Sequence, residues 1–212
     1  MNITQAWNHI ANGVRKFQTE VFPQQRATFE SVRKGQHPVA LFIACADSRI
    51  LPNLITQTEP GEIFTERNPG NMVPTYIEFV GGVTAGIEYA NLVLKVPLIV
   101  VCGHTDCGVM HALLNPETTD GLPGLQRWML HGAAARERVL RELKNLPEEE
   151  KLSRLAEANV LEQIGNLKTH PSVASRLEAN EVMIRGWVYD IGSGSIRQAD
   201  PETGVFEEFT GS

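Results

Sequence analysis

The run Val39-Ala40-Leu41-Phe42-Ile43-Ala44-Cys45-Ala46-Asp47-Ser48-Arg49, read beside Pro97-Leu98-Ile99-Val100-Val101-Cys102-Gly103-His104-Thr105-Asp106-Cys107-Gly108, decides how this chain folds. Each begins as a short continuous apolar run and ends in soft metal-ligand types. That is the pattern of a strand buried on both faces that delivers side chains to a sheet edge. Two such strands lying parallel would bring Cys45, His104 and Cys107 to one end of the sheet, where open α/β sheets place their sites. Three ligands of this kind suit zinc and leave its fourth tetrahedral position free, as in a catalytic site and unlike a closed structural one. The separation of Cys45 from His104 is too long for a zinc finger but leaves room for crossover elements.

Outward from these runs the chain reads as one α/β domain. Pro52 opens a short helix, and residues 62–67 form a second strand ending in the loop Asn68-Pro69-Gly70-Asn71. Over 76–95, Val80, Val83, Ile87, Ala90 and Leu94 make a helical stripe, with Gly81, Gly82 and Gly86 permitting close backbone approach. Residues 125–146 read as helix, and Leu152, Ala156, Val160, Ile164 and Leu167 form a further stripe before Pro171. Residues 181–190 supply a last strand closed by the turn Ile191-Gly192-Ser193-Gly194, which opens no helix and so is no phosphate cradle. The expected fold is α/β, with a mainly parallel sheet of four strands plus a C-terminal antiparallel one and helices on both faces.

The first segment carries Trp7, Ile10, Val14, Phe17 and Val21 at helical spacing, followed by a second helix over 24–34. These helices precede the sheet, so their apolar stripe is expected to pack on a partner subunit. The single domain, 1–212, then divides into an N-terminal helical arm (1–35), a zinc-binding core (36–190) and a C-terminal hairpin and tail (191–212).

With 212 residues and 42% hydrophobic content, the chain can bury the core of one domain. A net charge of −6 without a basic cluster argues against a nucleic-acid surface. No apolar run approaches the ~20 residues that span a bilayer. Three cysteines are too few for a disulfide framework and fit a reducing compartment, so a cytoplasmic protein is expected.

Two thiolates and a neutral imidazole cancel the charge of a zinc ion, so this centre acidifies water less than an all-histidine one and needs help from its neighbours. Asp47 and Arg49 are placed to give it. Arg49 can hold Asp47 ionised and oriented, leaving a carboxylate oxygen to accept a hydrogen bond from the attacking oxygen. The bland alternative is a surface ion pair with Ser48 as a helix cap. Cys102, inside its apolar run, reads as a small hydrophobe. Asp106 reads as a helix cap, and His111 either as a solvent-facing histidine or as a route for protons to buffer.

These residues resemble a known family. Cys45-Ala46-Asp47-Ser48-Arg49 with Gly103-His104-Thr105-Asp106-Cys107-Gly108 is similar to the paired signature of the β-class carbonic anhydrases, in their plant-like and cyanobacterial-like subgroup. Weaker matches are Arg67-Asn68, Glu88-Tyr89-Ala90, Asn159-Val160, Asn166-Leu167 and Gly186-Trp187. The resemblance implies zinc on Cys45, His104 and Cys107, with Asp47 and Arg49 as the catalytic dyad. It implies a substrate pocket of Gln36, Phe64, Tyr89 and the Gly108 amide, the aromatic walls being contributed across a dimer interface. Pro69 departs from the small aliphatic residue of that pocket. The implied reaction is reversible hydration of carbon dioxide to bicarbonate and a proton, in a homodimer that can extend to a tetramer. Hydrolysis of carbonyl sulfide or carbon disulfide on the same site, and a non-catalytic zinc-binding scaffold, are the alternatives. Some members bind a regulatory bicarbonate, and at the matching positions this chain has Phe42, Arg67 and Tyr189. Phenylalanine lacks an indole donor there, so Asp47 is expected on Arg49 and away from the metal.

Overall fold

In the computed structural model, which describes residues 1–77 and 81–211, the first apolar run becomes β1, Ala40–Cys45, buried along its whole length. It lies parallel to β2, Ile63–Asn68, on one side and to β3, Leu98–His104, on the other. β4, Met183–Tyr189, continues the parallel sheet beside β3. Two antiparallel strands, β5 (Ile196–Ala199) and β6 (Phe206–Glu208), complete the order β2-β1-β3-β4-β5-β6. The four parallel strands match expectation, and the C-terminal antiparallel addition is a pair where one strand was expected. Its second hairpin turns on Asp200, whose Oδ1 accepts from Glu202 N, Thr203 N and Thr203 Oγ1. Asp190 closes the preceding turn in the same way with Ser193. An aspartate folding back on its own backbone is a local turn device.

Side chains alternate across the parallel strands. Leu41, Ile43 and Cys45 join Ile99, Val101 and Cys107 in the larger core, whereas Phe42, Ala44, Val100 and Cys102 form a smaller layer on the opposite face with Ile50. The longest helix, α8 (Glu148–Lys168), covers the larger face. It crosses β3 and β4 at Gly103 and Gly186, where an added Cβ would lie 2.9 and 2.8 Å from the two methyls of Val160. Three glutamates in its first turn and Lys168 in its last complement the helix dipole.

The remaining α-helices among the described residues are, in chain order, α1 (Ile3–Lys16), α2 (Phe22–Val32), α3 (Pro52–Thr56), α4 (Gly82–Glu88), α5 (Gly108–Leu114), α6 (Pro123–Met129), α7 (Ala133–Glu142) and α9 (Pro171–Glu178). The helix expected over 76–95 starts later, and α4 runs on through a π-helical turn, Tyr89–Val93, that ends it near the expected point. Tyr76 and Ile77 are not helical, and Val80 lies outside the described residues. α4 begins at Gly82 because Gly81 is extended, and glycine gives little helical drive. The helix expected over 125–146 breaks between α6 and α7, where Gly132 packs against Met72 and Leu113.

A capping box between Asn2 and Gln5 opens α1. Neither α1 nor α2 has a buried residue. Phe17, Phe22 and Phe29 cluster where the π-helical turn Phe17–Val21 joins α1 to α2, with ring centroids 5.2–6.0 Å apart, while Trp7, Ile10 and Val14 remain exposed. Among the described residues no helix is long and apolar enough to cross a membrane.

Candidate metal centre

β1 ends on Cys45 and β3 on His104, at the same edge of the sheet, because the strands run parallel with Ala44 opposite Cys102. The turn Thr105-Asp106 then delivers Cys107 at the start of α5. The ligand atoms of Cys45, His104 and Cys107 all lie within 4.8 Å of one another, and all three residues are buried. The two sulfurs are 4.0 Å apart. His104 Nδ1 lies 2.8 Å from the Thr105 carbonyl. A carbonyl only accepts, so the proton is on Nδ1 and a lone pair is left on Nε2. That Nε2 is buried and has no hydrogen-bond partner among the described residues.

Donation from the Cys107 thiol brings Cys45 down to about 4 against the opposing effect of burial, helped by His104 and main-chain donors. One of these is the Gly70 N–H, 3.4 Å from Cys45 Sγ. Cys107 is held up by donating that bond, by burial and by the neighbouring charge of Cys45. A divalent cation would reverse the penalty on a second thiolate. Two sulfurs and one unpartnered imidazole nitrogen, gathered in a buried group, therefore fit zinc. Cys102 stands apart in the opposite layer, its thiol pushed up to about 12 by complete burial.

Asp47 follows immediately. Its Oδ1 accepts from Arg49 main-chain N and Nε, each at 2.9 Å, and its Oδ2 from Nη2 at 2.7 Å. The Arg49 guanidinium holds this carboxyl well below the usual carboxylate range. Arg67, from β2, donates to the main-chain oxygens of Cys45 (3.1 Å) and Asp47 (2.6 Å) and so fixes the turn between them. Phe42 is buried against Trp187, with ring centroids 5.9 Å apart.

Asp106 is not the helix cap expected from sequence. Cys107 occupies the cap position of α5 without a side-chain cap bond. Asp106 instead sits in the left-handed region, φ +53°, with its carboxylate turned to Arg49 Nη1 at 3.0 Å. His111 Nε2 lies 3.1 Å from the other carboxylate oxygen.

Of the residues expected to contact substrate, Gly108 opens α5 at the metal edge. Gln36, Phe64 and Tyr89 do not reach that edge within one chain. Gln36 is exposed ahead of β1. Phe64 pairs with Leu41, at the far end of the strand from Cys45, about 13 Å away at the usual strand rise. Its ring meets that of Tyr89 at 5.9 Å.

Sequence reading missed what holds the Pro69–Val73 loop. Trp128 Nε1 donates to the Pro69 carbonyl at 2.7 Å, and Asn159 Nδ2 to the Gly70 carbonyl at 3.0 Å. Val73 N donates to Gln163 Oε1 at 2.8 Å, and Asn166 Nδ2 donates to the Val73 carbonyl at 3.0 Å. Gln163 Nε2 ties the ladder together through Asn159 Oδ1 at 2.9 Å. Three buried amides at i, i+4 and i+7 of α8 thus grip the loop whose Gly70 N–H meets Cys45. The signal was present as polar residues inside an otherwise apolar stripe.

Residues 40–196 match the family model described as carbonic anhydrase. A carbonic anhydrase of Pseudomonas aeruginosa is 46% identical over 191 residues, covering 90% of this chain and 86% of that protein. The structure of the β-carbonic anhydrase CcaA superposes with a TM-score of 0.93 at 37% identity, covering 97% of this chain and 92% of that one. One of two tetrameric β-carbonic anhydrases from Sordaria macrospora superposes with a TM-score of 0.81 at 29% identity, covering 96% and 99%.

Proposed function

We propose that this chain, which belongs to the β-class carbonic anhydrase family and hydrates carbon dioxide reversibly to bicarbonate and a proton, does so with zinc on Cys45, His104 and Cys107. The observation that carries the metal assignment is the unpartnered buried Nε2 of His104 beside two sulfurs of a group that lies within 4.8 Å. When bound, zinc supplies Lewis acidity that makes a water nucleophilic near neutral pH.

The protein's own groups do the rest. Asp47, kept anionic by Arg49, accepts a hydrogen bond from the attacking oxygen and so fixes the direction of its lone pair. Arg67 locks the carbonyls on either side of Ala46, which keeps Asp47 at a constant distance from Cys45. The Gly108 N–H, free of an intrahelical partner in the first turn of α5, serves as the donor for the negative charge that develops on a substrate oxygen. Gln36, Phe64 and Tyr89 complete the pocket from a partner subunit, so the active unit is a homodimer, with tetramers formed by its further pairing. The exposed stripe of α1 and the thin second layer of the sheet support that assembly. Free thiols at Cys45, Cys102 and Cys107 support a reducing, cytoplasmic setting.

Stopped-flow hydration of carbon dioxide with parallel metal analysis tests the proposal. Cys45→Ser and Cys107→Ser lose zinc and activity, while Cys102→Ser keeps both. Full zinc and full activity in Cys45→Ser would refute the ligand set.

A further inference from the structure

Arg49 is the residue on which the orientation of Asp47 rests, and Asp47 does not hold it alone. Four of the five guanidinium N–H donors are engaged: Nε and one Nη2 proton by the Asp47 carboxylate, Nη1 by Asp106 Oδ2 at 3.0 Å, and the second Nη2 proton by the Asp106 main-chain oxygen at 3.0 Å. Asp106 can offer side chain and carbonyl to one group because its backbone is left-handed, a conformation aspartate and asparagine tolerate better than most residues. Its second carboxylate oxygen is taken by His111 of α5.

We infer that Asp106 is a positioning residue for the hydration reaction, clamping the outer edge of Arg49 so that the inner edge presents a fixed pair of donors to Asp47. The inference rests on the reading of Asp47 and Arg49 as the orienting pair. Arg49 is a long side chain, 44% exposed, and with one edge released it regains rotamers in water. An ion pair this exposed adds little to stability. Its worth is geometric, since an orienting carboxylate is sensitive to sub-ångström placement. The expected pattern is therefore a clear loss of rate with almost no loss of fold.

A double-mutant cycle separates this role from a merely structural one. Asp106→Asn keeps the left-handed backbone but offers one amide oxygen where a carboxylate offered two. It is expected to lower kcat/KM for carbon dioxide about 10-fold, the low end of outer-partner effects, with zinc content and melting temperature unchanged. In an Asp47→Asn background the same substitution is expected to change kcat/KM less than about twofold, because there is no ionised carboxylate left to orient. NMR of the Arg49 guanidinium gives a readout independent of turnover: its Nη protons, slowed by the clamp, exchange faster in Asp106→Asn. An equal loss in both backgrounds would overturn the inference, since Asp106 would then act outside the Arg49–Asp47 pair. So would wild-type kcat/KM in Asp106→Asn alone. Wild-type kcat/KM in Asp47→Asn alone would overturn the reading of the dyad itself, and the clamp with it.

Discussion

Replacing Gln163 by Met tests whether the buried amides of α8 hold the loop beside the metal centre. Gln163 is fully buried, and its two ends meet Val73 N, Asn166 Nδ2, Asn159 Oδ1 and the His131 carbonyl. Met has nearly the same length and volume, so no large cavity opens. Asn166 Nδ2 keeps the Val73 carbonyl, and His131 is partly exposed and can take a water. Two groups are then left stranded, the Val73 N–H and Asn159 Oδ1. Each costs ~1–3 kcal/mol when buried without a partner. The apolar gain of the thioether chain offsets part of that, leaving a net loss of about 2–4 kcal/mol. For a chain of this size that is a fall in melting temperature of roughly 4–16 °C. Urea denaturation at fixed protein concentration, which holds any oligomer contribution constant, measures the loss. Because the loop carries the Gly70 N–H that meets Cys45, zinc affinity measured against a chelator should also fall about tenfold. A Gln163→Met protein within 0.5 kcal/mol of wild type on the ~1 kcal/mol scale of a single hydrogen bond would refute the reasoning.

Asp47→Ala is expected to retain zinc and to hydrate carbon dioxide ~10- to 100-fold more slowly, as read by stopped flow; a near-normal rate would reduce Asp47 to a local ion-pair partner. Deleting the residues before Phe22 removes the exposed stripe of Trp7, Ile10, Val14 and Phe17 and should weaken dimerisation, so an unchanged mass by light scattering at low micromolar concentration would contradict the partner-packing role. His170 is held below the ordinary histidine range by burial, although its ring donates to the Pro74 carbonyl at 2.9 Å. Between the folded value and ~6.5 the unfolded chain therefore binds the extra proton, so stability falls as pH drops through that window. His170→Gln should flatten this acid slope in denaturation profiles, and an unaltered slope would show that other groups set it.

The parallel core was legible because β1 and β3 are buried on both faces, and continuous apolar runs are the consequence of that burial. The grouping of Cys45, His104 and Cys107 was legible because two parallel strands bring their last residues, and the turn that follows, to one edge. The split of the 125–146 helix was not, since it depends on Gly132 packing against Met72 and Leu113, a contact between distant parts of the chain. Nor was the role of Asp106, whose bond to Arg49 spans two loops and whose left-handed backbone leaves no periodic trace. The final hairpin was readable in principle: Asp200-Pro201-Glu202-Thr203-Gly204 repeats the spacing of Asp190-Ile191-Gly192-Ser193-Gly194, and both turns close on an aspartate. Gln36, Phe64 and Tyr89 show the limit of a single chain, because among its described residues none of the three lies at the metal edge where the resemblance would use it.

The measurement closest to the central claim is zinc-edge X-ray absorption on the purified protein, with metal content determined on the same sample. One zinc per chain is predicted, coordinated by two sulfurs at ~2.3 Å and by light-atom ligands at ~2.0–2.1 Å that include one imidazole. Absence of stoichiometric zinc, or a zinc with no sulfur in its coordination shell, would contradict the account.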